Sequence, residues 1–381
     1  MNSVFGMLLM AGSQPVPPVP QGSMLSGTRN NQLSQVEFTV TEHDNTTHKV
    51  IIDDSYGTSW EWDNPSGWNI KKIRFTGNGL GDATSSIVLS GDWSTVTDMS
   101  YMFYNQQYSS PSITIDSIDT SNVTDMTAMF YLCRAASLTI NPIDTSNVTK
   151  MSDMFYNCSI TSLDLSGLNV SNVTLMNGMF GYSSLTSINI SGWDTANVIR
   201  MNGMFQNCTS LTKITGIEDI NVSNVIDMSN MFGYCQLLTQ NESRLLDLSK
   251  WKPTSSTSLS YAFSNCKSLY NVKLFSSDKC VNITNVSDIF AGCNNLRSIF
   301  IDGITCERAN SFVACFNGCS SLTTLDIRTI QTSQVVSDQQ GSRWIAFLGG
   351  VNGCNIYYDS SLWNSDIVDA FPDNNWNDVN P

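Results

Sequence analysis

Histidine is nearly absent. The chain of 381 residues holds two, His43 and His48, so a nucleophile–imidazole arrangement could draw only on these. No G-x-S-x-G, P-loop or Rossmann fingerprint occurs. Charge is sparse, 14% of residues, and the 19 Lys and Arg form no run, which argues against nucleic acid as a partner because phosphate binding needs clustered cations. No C-x-x-C pair exists. Cys315 and Cys319 are four apart with no second pair to complete a zinc site. No apolar run approaches the roughly 18 residues of a membrane span. From these absences we expect no enzymatic activity, no metal and no cofactor.

What is present is repetition. DTSNVTDMTAMFYLC begins at Asp119, and DTSNVTKMSDMFYNC begins 25 residues later at Asp144. With the Phe of each M-F-like element as marker, copies fall at Phe103, Phe130, Phe155, Phe180, Phe205, Phe232, Phe263, Phe290 and Phe316, and a degenerate tenth falls at Phe347. Self-similarity at such a period marks a solenoid. Each unit opens with a strand of the form L-x-x-L-x-L, such as Leu185 to Ile190. Alternation puts its Leu and Ile on one face and polar residues on the other. The segment S-N-V-T-x-M-x-x-M-F follows, and its apolar spacing predicts a helical or 3₁₀ turn capped by the preceding Asp-Thr-Ser. The fold class expected is an α/β-type repeat solenoid of about nine or ten coils with one long parallel sheet, since stacking alone buries such units.

Stacking turns each repeated position into a column. Met and Phe read as core, Met because it adapts to imperfect stacking and Phe because it fills volume. Cys133, Cys158, Cys208, Cys235, Cys266, Cys293 and Cys319 each sit three residues after a marker and read as buried, reduced thiols. Any disulfide would more readily involve Cys280, Cys306, Cys315 and Cys354. Asn122, Asn147, Asn172, Asn197, Asn224 and Asn282 form an expected amide ladder between coils. Because N-V-T and N-V-S recur, glycosylation is the rival reading of that column.

Four regions follow. Residues 1–31 read as an apolar and Pro-rich tail, 32–91 as a small β domain or N-terminal cap, 92–341 as the solenoid, and 342–381 as a repeat remnant with a C-terminal cap. No Lys or Arg precedes the apolar run of residues 1–13, so that run is a poor secretion signal, and Ser13 stands where a lipidated Cys would be. The insertion between Thr239 and Arg244 is expected to form a loop. If the sheet's polar face binds a partner, the candidates are Thr139, Asp164, Asn189, Asp247, Tyr270, Lys273, Phe300 and Asp326. Tyr270 and Phe300 stand out there, because most copies place Ser, Thr or a charge.

DTSNVTDMTAMFYLC and LTSINISGWDTANVIRMNGMFQNCTSLT resemble the repeats of BspA-like leucine-rich-repeat surface proteins, over about residues 90–330. The resemblance implies a right-handed leucine-rich-repeat coil. It further implies a cell-surface or extracellular adhesion protein that binds a protein or glycan on a host or neighbouring cell. The same repeats occur in phage-encoded proteins. That gives an alternative expectation: a virion structural or decoration protein, on the particle surface, docked to capsid or tail proteins through residues 1–27. Such a building block would form a homo-oligomer.

Overall fold

Alternate backbone N–H groups of the M-x-x-M-F segment leave their own coil. In the computed structural model Met99, Tyr101, Phe103 and Asn105 donate to the carbonyls of Asp125, Thr127, Met129 and Tyr131, one coil on. Between them, Met102 bonds back to Met99 and Tyr104 to Tyr101, closing tight turns. Left-handed backbone recurs at every fourth residue, as at Tyr101 (φ 59°) and Asn105 (φ 59°), or Gly203 (φ 62°) and Asn207 (φ 58°). The expected helical or 3₁₀ turn is therefore corrected to a chain of β-turns. A helix would need consecutive right-handed residues bonding within the coil, whereas here half the donors serve the neighbour.

The structure describes residues 6–7, 24–29, 35–53, 59–63, 69–75, 84–90, 93–106, 112–115, 118–141, 143–240, 244–255, 257–275, 283–301, 313–328, 348–361, 368–369 and 371–379. Asn282, Cys280, Cys306, Phe347 and most of the tail before residue 24 lie outside the described residues. The chain divides into two units, residues 1–173 and 174–381. Both consist of β-solenoid coils with parallel sheets, about seven turns in all with essentially no helix, and a small antiparallel sheet stands at the N-terminus.

In the first unit the strands are β1 (Gly6–Met7), β2 (Met24–Arg29), β3 (Gln35–Glu42), β4 (Thr47–Asp53), β5 (Ser59–Asp63), β6 (Ile70–Phe75), β7 (Thr84–Ser90), β8 (Ser112–Ile115), β9 (Ser137–Ile140) and β10 (Ser162–Asp164). β1, β4, β3 and β6 form the antiparallel sheet in that order. β2 lies antiparallel between β5 and β7, so residues 24–29, at the end of the stretch read as a tail, sit inside a sheet. β7, β8 and β9 then run parallel, with Ile87, Ile113 and Leu138 in register. Phe75, Phe103, Phe130 and Phe155 stack as a continuous core column with ring centroids 4.9, 5.3 and 5.3 Å apart.

The second unit contains β11 (Ser187–Asn189), β12 (Lys213–Thr215), a single 3₁₀ turn at Ile217–Asp219, β13 (Leu245–Leu248), β14 (Thr257–Ser258), β15 (Asn271–Leu274), β16 (Ile283–Asn285), β17 (Ser298–Ile301), β18 (Thr324–Asp326), β19 (Asn355–Tyr358) and β20 (Asn375–Asp378). β13, β15, β17, β18, β19 and β20 form one parallel sheet. Its core column runs from Phe180 through Phe205, Phe232, Phe263 and Phe290 to Phe316, with centroids 5.1–5.9 Å apart. The expectation of one long sheet is corrected, because β11–β12 and β13–β20 are separate ladders. The extra residues after Thr239 intervene between them, and a side chain fills the gap. Gln240 Oε1 accepts the Ile214 N–H at 3.1 Å while its Nε2 donates to the Ile214 carbonyl at 2.7 Å, so one amide imitates a strand partner for β12.

The D-T-S-N segment divides its work by residue. Asp119 Oδ1 accepts the N–H of Ser121 in a local turn. Thr120 Oγ1 donates to the Asp144 carbonyl on one side, and Asn122 Nδ2 donates to the Ser94 carbonyl on the other. Asn147 and Asn172 repeat this bond to Ser121 and Ser146, and in the second unit Asn224 does so to Ala196. These amides and Asn197 are exposed.

All nine described cysteines are free and buried, Cys315 and Cys354 included. In the second unit Cys208, Cys235, Cys266, Cys293 and Cys319 each donate Sγ–H to the carbonyl of the preceding marker Phe, at 3.0–3.2 Å. Burial pushes the Cys208 thiol up to about 11 and the Cys266 thiol up to about 12. In the first unit the neighbouring Cys158 thiol, together with burial, holds the Cys133 thiol well above its ordinary range.

Candidate functional site

A strand in a parallel ladder repeats its neighbour's side-chain direction, so one outward residue per strand makes a row. In the second unit Leu246, Val272, Ile299, Leu325 and Ile356 are buried and in register. The next residue of each strand points the other way. Asp247, Lys273, Phe300, Asp326 and Tyr357 therefore stand side by side across β13, β15, β17, β18 and β19. Phe300 is 42% exposed and Tyr357 is 37% exposed, so this row offers two aromatic faces to solvent.

The charges of the row are held. Asp247 Oδ1 accepts the Ser249 N–H at 2.9 Å. Partial burial alone would raise its carboxyl, but the Ser249 bonds and the charges of Lys273 and Lys250 outweigh this and keep it below the usual range. Asp326 takes both Nε and Nη2 of Arg328, at 2.8 and 2.6 Å, a bidentate pair on one coil.

Beside the row, at the strand entrances, lies a second column. The Tyr270 ring is sandwiched between the guanidiniums of Arg244 and Arg297, with Cζ 5.5 and 5.3 Å from its centroid. The backbone sets this stack: the Asn271 N–H bonds to the Arg244 carbonyl, and the Arg297 N–H bonds to the Tyr270 carbonyl. Among the described residues neither guanidinium pairs with a carboxylate, whereas Arg328, Lys250, Lys150 and Lys72 each have one.

The structure thus unites Asp247, Lys273, Phe300 and Asp326 in one row with Tyr270 at its flank. Asn189 lies on β11 in register with Thr215, half-buried, and its Oδ1 is occupied by the N–H and hydroxyl of Ser191. Thr139 and Asp164 belong to the first unit. Thr139 is exposed in register with Thr114, and Asp164 is exposed and bonded to Ser166 beside a cavity of about 280 Å³ that Ile140 and Leu168 help to line. Arg244, Arg297 and Tyr357 escaped the sequence reading. The two arginines sit just ahead of the strand motif, and Tyr357 sits in a coil whose motif has decayed.

The first unit carries a second aromatic column. Tyr104, Tyr131 and Tyr156 stack at 5.3 and 4.8 Å, with Arg74 over Tyr101 and Tyr104. Here the rings cover each other's faces and present mainly their edges.

Among the described residues no group of three or more His, Cys, Asp or Glu side chains could hold a metal ion. His43 Nε2 contacts the Thr95 carbonyl and His48 Nε2 contacts Glu42. No helix among the described residues is long and apolar enough to cross a membrane.

A family model with the description "Mycoplasma protein of unknown function, DUF285" matches residues 81–188, 182–303 and 257–340, well over half of the chain. The chain belongs to the DUF285 family. No curated protein and no solved structure matches it. The DUF285 matches begin just ahead of β7 and extend past β18, so they cover the outward row from Asp247 to Asp326 but not Tyr357 on β19.

Proposed function

We propose that this DUF285 protein is a non-enzymatic, surface-displayed recognition protein, adhering to a host protein or glycan through the outward strand face of its second unit. The observation that carries this reading is the row Asp247–Lys273–Phe300–Asp326–Tyr357. Core positions repeat nearly the same residue from coil to coil, while this row changes chemistry at every strand. A structural face needs only to be soluble. A face that displays acid, base and aromatic groups on a rigid ladder has the makings of a recognition surface, where aromatic anchors amid polar groups supply most of the binding energy. We read the coils as right-handed and of the leucine-rich-repeat type of the BspA-like surface proteins.

The test is direct binding of the purified protein to arrayed glycans and immobilised extracellular-matrix proteins, beside a Lys273→Ala/Phe300→Ala variant. We expect a specific signal that falls at least tenfold in the variant, as loss of an aromatic anchor predicts. Equal signals from the two proteins would sink the assignment of this face.

A further inference from the structure

We infer that the Arg244–Tyr270–Arg297 stack is a subsite for an acidic polysaccharide, one bearing sulfate or carboxylate groups along a sugar chain. The inference rests on the recognition reading above and names its ligand class.

The two guanidiniums share a single aromatic partner, Tyr270. The protein carries a net charge of −14, and Arg328, Lys250, Lys150 and Lys72 are each paired with a carboxylate. Arg244 and Arg297 are exposed, and among the described residues their side chains contact no carboxylate, only the two faces of one phenol ring. A cation held over a ring face spends none of its N–H donors on that contact, so the guanidinium fork stays available to an oxyanion. The ring between them fixes both forks and lowers the cost of ordering two long side chains.

Spacing and setting select the ligand. Arg244 and Arg297 stand two strand steps apart, roughly 10 Å at the ordinary strand separation. They suit anions that recur along a chain better than one small anion. Lys273, three residues after Tyr270 and in the exposed row, adds a third cation. Phe300, exposed in the next column, offers an aromatic face for the apolar side of a sugar ring. The neighbouring row of Asn271, Ser298 and Thr324 is half-buried and polar, suited to hydroxyls. An acidic peptide is the poorer fit, because Phe300 stands between Lys273 and Asp326 in its row rather than in an apolar pocket for anchoring side chains.

The probe is a fluorescent heparin octasaccharide, titrated by anisotropy at 50 and 150 mM NaCl. Its comparators are the same octasaccharide desulfated and carboxyl-reduced, and a polyglutamate of equal charge. We expect the octasaccharide to bind, more weakly at the higher salt, and the neutralised one not to bind. Arg244→Gln/Arg297→Gln should weaken binding at least tenfold. Lys49→Gln/Arg134→Gln, which removes as much charge from the first unit, should change it less than twofold. Tyr270→Leu keeps both charges and serves if the double variant does not fold; it should weaken binding several-fold. Equal losses in both double variants, no loss in Tyr270→Leu, or polyglutamate binding as tightly as the octasaccharide would each overturn the inference. If wild-type protein ignores the octasaccharide while Lys273→Ala/Phe300→Ala still lowers binding on the arrays, the acidic-polysaccharide subsite falls and the wider reading stands. If both experiments are blank, both fall.

Discussion

Each thiol of the second unit's cysteine column completes a carbonyl that is already in use. The Phe180 carbonyl accepts the Ser183 N–H within its turn and the Cys208 thiol from the next coil, and Phe205, Phe232, Phe263 and Phe290 are served in the same way. Burial of these sulfurs has a pH consequence. Cys266, Cys319 and Cys354 are pushed up to about 12 by burial, and Cys208 to about 11, against an ordinary value of 9.0. The folded chain holds these protons where the unfolded chain has lost them. Stability is therefore intact below pH about 9 and declines between pH 9 and 12. The urea midpoint should fall steadily over that window, and mutation of Cys266 and Cys319 to Ala should flatten the decline; an unchanged slope would exclude the thiols as its cause. At neutral pH iodoacetamide should label these residues only in denaturant, since a buried protonated thiol is a poor nucleophile.

Residue-scale legibility was uneven for a physical reason. The cysteine column could be read from a fixed offset to Phe, because stacking copies a position faithfully. The left-handed positions could not. Asn207 and Gly203 are ordinary occupants, but Ala128, Leu132 and Tyr182 stand in the same conformation in other coils. A non-glycine residue there costs about 1–2 kcal/mol, which the bonds to the next coil offset. Those bonds come from the stack and leave no mark on local sequence. Gly216 is different, because a Cβ there would lie 2.7 Å from the Ser191 backbone, so close approach as well as its φ of 90° requires glycine.

At the scale of elements, the alternation of L-x-x-L-x-L gave the strands and their inward faces, and both survive in β13, β15 and β17. The turn wall was misread because Val, Met, Met and Phe at steps of three and one fit a helix as well as a run of β-turns. Only the destination of the N–H groups separates the two. The break after β12 was equally hidden, since nothing local marks Gln240 as a surrogate strand. Its amide is the partner of both Ile214 groups, and Ile214 is fully buried. Gln240→Ala should therefore cost about 1–3 kcal/mol, the penalty for stranding buried backbone groups. Hydrogen exchange should show faster loss of the Ile214 amide than of the Ile188 amide. Equal protection of the two would mean that the Gln240 side chain is dispensable.

At the scale of the molecule, the repeat period was the most legible feature, because a solenoid's long-range order is its sequence periodicity. The recognition surface was half legible. Outward positions followed from alternation, but which of them are free of partners depended on ion pairs such as Asp326–Arg328 that join residues two apart on one coil.

The thiol, turn and amide bonds share one property: each reaches one coil along and no further. Length is therefore quantised. Removing residues 181–205, one whole period from marker to marker, keeps Cys three residues after Phe and returns every column to alignment. Removing residues 181–200 misaligns all of them. The first deletion should give a chain that still melts in a cooperative transition by circular dichroism, and the second should not; failure of both would show that coils are not exchangeable. Recombination between near-identical repeats changes a gene by whole periods, so such a chain can lengthen or shorten its display surface in a single genetic step without passing through an unfoldable intermediate.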